Sequence, residues 1–238
     1  MWRTHAVTTI DLANSSVVVL GGTGALGRRI SAVLADRGAR VTVAGRDKGT
    51  AAEIAESIGG IPATVDFLDP GTLQAPFRAA SDAFGSVDGI VNAAGVVAFG
   101  PLTGTPNSVI EEVVTVNLTT PLVLYAEAIP RMSSGFIANL SGIVATMPTA
   151  GMATYSASKA GLSAATVALA RELRRDGITV IDVRPPHTET GLVGRALLGE
   201  PPRLPEGLDA GFVAERTVDG IVGGKRVLDA DWFTSAGS

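Results

Sequence analysis

Ser16-Val17-Val18-Val19-Leu20-Gly21-Gly22-Thr23-Gly24-Ala25-Leu26-Gly27 is the stretch that decides the fold. Its opening is a short β-branched run closed by glycines, the pattern of a buried parallel strand. From Arg28 to Arg37 the apolar residues Ile30, Val33 and Leu34 fall at helical spacing. Strand, glycine turn and helix in that order make a dinucleotide-binding unit rather than a plain connection. Gly21, Gly24 and Gly27 allow a tight turn and the close approach of a pyrophosphate to the N–H groups at the helix start, with Thr23 and Leu26 between them.

A second strand, Arg40 to Ala44, arrives at the distance a βαβ unit requires and ends in Ala44-Gly45-Arg46. An acidic residue at this tip selects NAD through the adenosine ribose, whereas an arginine suits the 2′-phosphate of NADP. Here Arg46 stands at the tip and Asp47 follows. Guanidinium matches phosphate geometry, and Arg28 is a second positive group at the helix start. The reading favours NADP over NAD.

Further along, Ile61 to Val65 reads as a third strand ending at Asp66-Phe67, where a carboxylate can accept from an adenine amino group. Gly89-Ile90-Val91 is a fourth strand opening into the small residues Asn92-Ala93-Ala94-Gly95, suited to backbone lying against a cofactor. Ser108 to Leu124 reads as a helix in which Asn117 sits among Val113, Val114, Val116 and Leu118, and a buried asparagine needs partners. Gly135 to Leu140 and Ile178 to Val183 are strands five and six. Glu215 to Val222 reads as a last helix and Arg226 to Leu228 as a seventh strand. Alternation of strands and helices without repeat or linker predicts a single-domain α/β Rossmann-type doubly wound parallel sheet of about seven strands over residues 1–238, with helices on both faces. Residues 191–211, rich in proline and glycine, read as a segment covering the substrate.

Composition narrows the function. The 238 residues are 46% hydrophobic with 29 glycines, a net charge of −4 and no cysteine. The absence of a basic run argues against nucleic acid, and the lack of cysteine excludes disulfides and thiolate metal sites. His5 and His187 are too few for a metal centre. The reading finds no signal peptide before Ser16 and no apolar run approaching a membrane span. It places the protein in the cytoplasm.

Chemistry is concentrated in Thr154-Tyr155-Ser156-Ala157-Ser158-Lys159-Ala160-Gly161-Leu162. Tyrosine and lysine four residues apart lie one helical turn from each other. A free tyrosine titrates near pH ~10, and a nearby ammonium lowers that value. Tyr155 with Lys159 is thus a candidate acid/base pair at a hydroxyl or carbonyl oxygen. An isolated Y-x-x-x-K is common by chance, and only its setting gives this one meaning.

In order and spacing, the glycine turn, Asp66, Asn92 to Gly95, Asn117, Tyr155/Lys159 and Pro185 with Thr190 resemble the short-chain dehydrogenase/reductase family over nearly the whole chain. The resemblance implies a nicotinamide cofactor and reversible hydride transfer to or from a small-molecule carbonyl or secondary alcohol. It implies that Tyr155 is the acid/base, that Lys159 lowers its pKa and binds the nicotinamide ribose, and that Asn117 holds a water in a proton relay. The loop through Pro185, Thr188 and Thr190 would hold the carboxamide and pyrophosphate. Family members commonly pair through the helices containing Ser108 and Tyr155, which implies a homodimer or homotetramer.

The sequence departs from the family pattern at three places. Ala25 stands where the commonest spacing has its middle glycine, and Pro186 replaces the usual glycine after Pro185. The position of the usual catalytic serine, thirteen residues before Tyr155, is Gly142. Ser141 serves if the strand end is shifted, Thr146 is another candidate donor, and without either, catalysis is weak. Gly142 therefore motivates an alternative reading, a nicotinamide-nucleotide sensor or partner-binding protein with little turnover.

Overall fold

The computed structural model describes residues 9–235, so His5 lies outside the described residues. Seven parallel strands form one sheet in the order β3-β2-β1-β4-β5-β6-β7. They are β1 (Ser16–Leu20), β2 (Arg40–Gly45), β3 (Ile61–Thr64), β4 (Gly89–Asn92), β5 (Gly135–Leu140), β6 (Ile178–Val183) and β7 (Val227–Leu228). The central strands carry apolar side chains toward both faces, because helices cover both. Val17 and Val19 of β1 pack with Ile30 and Leu34 of α1 (Ala25–Asp36) and Val213, Val218 and Ile221 of α7 (Ala210–Val222). Val18 and Leu20, pointing the other way, pack with Phe77 of α3 (Ala75–Phe84) and Leu124 and Tyr125 of α5 (Thr120–Ala128). Between α1 and α3, α2 (Lys48–Ser57) is capped by Asp47, which accepts from the Thr50 N–H. Each fully buried Val, Leu or Phe contributes about 1.5–3 kcal/mol.

The strand order reverses between β1 and β4. In open α/β sheets the crevice at such a reversal, beyond the carboxyl ends of the strands, is where ligands bind. A cavity of about 380 Å³ opens there.

Three helical segments differ from the sequence reading. α7 begins at Ala210, where Asp209 accepts from the Phe212 N–H, and α8 (Ala230–Thr234) follows β7. The helical run Asn107–Arg131 comprises α4 (Asn107–Val114), a π-turn over Thr115–Thr119, α5 and a final 3₁₀ turn. It contains an 18-residue window of mean hydropathy 1.3, long and apolar enough by composition to cross a membrane. The strand-by-strand reading missed this because Asn117, Glu111 and Glu112 interrupt it. In the fold, Leu124, Tyr125 and Ala128 of this run are core residues.

Candidate active site

The glycine turn is built by close approach. Gly21 has φ +72, and a Cβ there would lie 2.6 Å from the Ala94 nitrogen. A Cβ on Gly27 would lie 2.1 Å from the Gly21 carbonyl oxygen. The turn is therefore pressed between the end of β4 and the first turn of α1. Gly24 caps α1 with no side-chain partner, which leaves the first N–H groups of the helix to a ligand. Thr23, Gly24, Ala25 and Leu26 line the cavity at this point.

Along the adenosine side, Arg46, Asp66 and Phe67 line the same cavity. Arg46 is exposed and forms no ion pair or hydrogen bond among the described residues. Arg28 does not line the cavity and folds back onto its own helix start, donating to the Thr23 and Gly24 carbonyls. Asp66 accepts from the Leu68 N–H through Oδ1.

Of the residues singled out in the sequence, Ala93, Ala94, Tyr155, Lys159, Pro185, Thr188 and Thr190 also line the cavity. Three predicted residues do not. Gly27 is taken up by packing against Gly21. Asn92 is buried and accepts from the Ala94 N–H, shaping the loop from below. Asn117 is re-aimed by the π-turn: its Oδ1 accepts from the Val96 N–H, and its Nδ2 donates to the Val96 carbonyl and Ser158 Oγ. Its side chain thus holds the β4 loop against α6 (Ala153–Glu172).

Ser141 requires a correction too. It is fully buried, and its hydroxyl donates to Asp182 Oδ1 rather than reaching toward Tyr155. Alternation along the strand turns it away, and Gly142 faces the open cavity: a Cβ there meets nothing within 4 Å. Gly142 has φ 77 and ψ 164, a region open essentially to glycine. Thr146 is exposed and donates to the Ile143 carbonyl.

Tyr155 and Lys159 sit on α6 with Lys159 Nζ donating to the Leu140 carbonyl at 2.8 Å. Burial pushes the Tyr155 phenol up to about 12. Removal from water is the cause of that shift, and no contribution from Lys159 enters it. Burial lowers Lys159 to about 8, and the Asp182 carboxylate partly opposes that shift. At neutral pH the pair is a protonated phenol and a predominantly charged ammonium.

The far wall is apolar and was not read from the sequence as one surface. Val97, Phe99, Val144 and Met152 form a cluster onto which Tyr155, Leu192, Val193 and Ala196 pack. Backbone bonds from Leu197 N–H to Val97 O and from Phe99 N–H to Leu198 O hold residues 192–198 in place. His187 lines the cavity with Nε2 3.4 Å from Glu189 Oε1.

A doubly wound parallel sheet with a glycine turn and a tyrosine–lysine pair lining one cleft is the architecture of a nucleotide-binding oxidoreductase fold, and comparison agrees on the family. The short chain dehydrogenase family profile matches residues 15–199, and the chain belongs to that family of oxidoreductases. It is 31% identical over 189 residues to the 3-oxoacyl-[acyl-carrier-protein] reductase FabG of Vibrio harveyi, covering 77% of each chain. Identity to the Escherichia coli (strain K12) protein of the same name is 29% over 224 residues, covering 92% of this chain and 88% of that one. In fold it is similar to a 3-ketoacyl-(acyl-carrier-protein) reductase from Brucella melitensis complexed with NADH, at TM-score 0.82, 22% identity and coverage of 91% and 96%. A dehydrogenase/reductase from Sinorhizobium meliloti 1021 gives TM-score 0.78 at 27% identity, covering 92% and 90%. Membership in an oxidoreductase family weighs against the sensor reading.

Proposed function

We propose that this protein is an NADP-dependent reductase of carbonyl compounds bearing an apolar arm, with Tyr155 as the acid/base. The observation that carries this reading is that Tyr155 and Lys159 line the same cavity as the glycine turn and Arg46. The residues fit a dinucleotide: the turn admits no Cβ at Gly21 or Gly27, the start of α1 is uncapped, and Arg46 is unpaired among the described residues. Gly21 to Leu26 would hold the pyrophosphate, Arg46 the 2′-phosphate, Asp66 and Phe67 the adenine, and Pro185, Thr188 and Thr190 the nicotinamide end.

When bound, the nicotinamide supplies the hydride. Tyr155, protonated at neutral pH, donates its proton to the substrate oxygen as charge develops there. Lys159, anchored at Leu140 O, would supply positive charge to that oxygen and help hold the nicotinamide end of the cofactor. The wall of Val97, Phe99, Val144, Met152, Leu192 and Val193 excludes water and receives the apolar arm. Residues 191–211 are on this reading the substrate-covering segment, and a cytoplasmic homo-oligomer is its setting. The names of the FabG relatives make a 3-oxoacyl thioester the first probe substrate.

The test is fluorescence titration with NADPH and NADH, followed by NADPH oxidation with a 3-oxoacyl thioester and a panel of apolar ketones. Tighter NADPH binding and turnover support the reading. Absence of binding by either cofactor overturns it.

A further inference from the structure

Beneath the Tyr155/Lys159 pair lies a buried carboxylate that the proposed chemistry does not use. Asp182 on β6 is 1% exposed and ionically paired with Arg184 at 2.6 Å. Its Oδ2 also accepts from Ser163 Oγ at 2.6 Å and Arg184 Nε at 2.7 Å, while Oδ1 accepts from Ser141 Oγ. Arg184 in turn donates to Ser163 Oγ at 3.1 Å. These partners come from three different segments. Ser141 follows Leu140, whose carbonyl holds the Lys159 ammonium. Ser163 lies one turn beyond Lys159 on α6, on the same side of the helix. Arg184 precedes Pro185, where the cavity-lining loop begins.

We propose that Asp182 is a positioning residue for Lys159: its carboxylate ties α6 to the ends of β5 and β6 and keeps the Lys159 ammonium charged at the Leu140 carbonyl. This rests on the reading of Tyr155 and Lys159 as the acid/base pair. A buried carboxylate is tolerated only when paired and hydrogen-bonded, and here every donor comes from a segment that shapes the site. The same contact is where the Ser141 hydroxyl is held. Lys159, itself 4% exposed, needs a counter-charge that water does not supply. The charged or titratable groups around it are Tyr155 on its own helix, Asp182 on β6 and Arg184 directly after that strand. β5 offers the Leu140 carbonyl and the β4 loop Gly95, both neutral. His187 lines the same cavity from the loop after β6.

Asp182 and Arg184 carry opposite charges, so removing each should move Lys159 in opposite directions, which separates positioning from mere structural support. The lysines of the chain are Lys48, Lys159 and Lys225, so ¹³Cε-lysine NMR resolves them, with Lys159 assigned by its loss in Lys159→Arg. This titration needs neither cofactor nor substrate, so its outcome is independent of whether the reductase reading holds. Asp182→Asn should move the Lys159 titration to lower pH by about one unit or more, and Arg184→Gln should move it to higher pH. General loosening of the fold cannot move the same group both ways. Should Asp182→Asn fail to fold, Arg184→Gln carries the test alone, since its side chain is partly exposed. Lys159 titrating at its native pH in the folded variants, or shifting the same way in both, overturns the proposal.

Discussion

The hydroxyl of Ser141 is held by the carboxylate of Asp182, one residue before the glycine that occupies the usual serine position. The candidate site therefore has no hydroxyl at the position of the usual serine, and the neighbouring one is engaged within the sheet. Ser141→Ala is expected to cost about 1.5–3 kcal/mol of stability, the range for a hydrogen bond to a charged group. Its effect on carbonyl reduction should stay below tenfold, whereas removing an oxyanion donor costs about 100-fold or more. Urea unfolding and steady-state kinetics on the variant separate the two.

Gly142 has room for a side chain but not the backbone for one. With φ 77 and ψ 164, Gly142→Ala should destabilise by about 1–3 kcal/mol although its Cβ meets open space. Gly142→Ser should be destabilised similarly. A thermal or urea comparison of both variants showing no loss would contradict the backbone assignment.

Arg46 provides the test of cofactor choice. Arg46→Ala should weaken NADPH binding by about tenfold or more, the value of one charge-assisted contact, and leave NADH binding within about twofold. Equal losses for both cofactors would remove the 2′-phosphate assignment.

Lys159 gives stability an unusual pH dependence. Its folded pKa, about 8, lies below the unfolded value of 10.5. Between these values the unfolded chain binds more protons, so stability rises with pH. From pH 7.5 to 9.5 this contributes about 2 kcal/mol, and Lys159→Met should lose that rise. Tyr155 acts in the opposite sense: its folded value of about 12 lies above 10, so its contribution falls as pH passes above 10. Urea unfolding of the wild type and Lys159→Met at both pH values checks the sign.

Leu122 and Val123 on α5 and Val167 on α6 are exposed apolar side chains on the two helices proposed as the pairing surface. Val167→Glu with Leu122→Glu should give a monomer by light scattering at micromolar concentration. An unchanged mass would place any interface elsewhere.

The sheet was legible because β1, β2 and β6 are short runs rich in β-branched residues, and the turn after β1 because its glycines fall between a strand and a helix. The clamp on Lys159 was not, since Asp182 meets Ser141 and Ser163 only after the sheet and α6 are packed. The upward push of burial on Tyr155 was not legible, because neighbouring charges are visible in sequence while removal from water is not. Asn117 was rightly singled out as a buried amide needing partners, but those partners, Val96 and Ser158, are set by the π-turn. The start of α7 was within reach: Asp209 stands three residues before Phe212, the spacing of an N-cap. The apolar wall joins Val97 to Leu192 across the fold, a relation no local pattern records.

The central claim is that Tyr155 supplies the proton. Tyr155→Phe removes one oxygen and leaves the ring packed against the apolar wall. The deciding measurement is NADPH oxidation with a 3-oxoacyl thioester, or the best ketone of the panel, by wild type and Tyr155→Phe at pH 7, with NADPH affinity measured in parallel. The account predicts a fall in kcat of at least about 100-fold with NADPH affinity within about threefold of wild type. Turnover by Tyr155→Phe at the wild-type rate would contradict it.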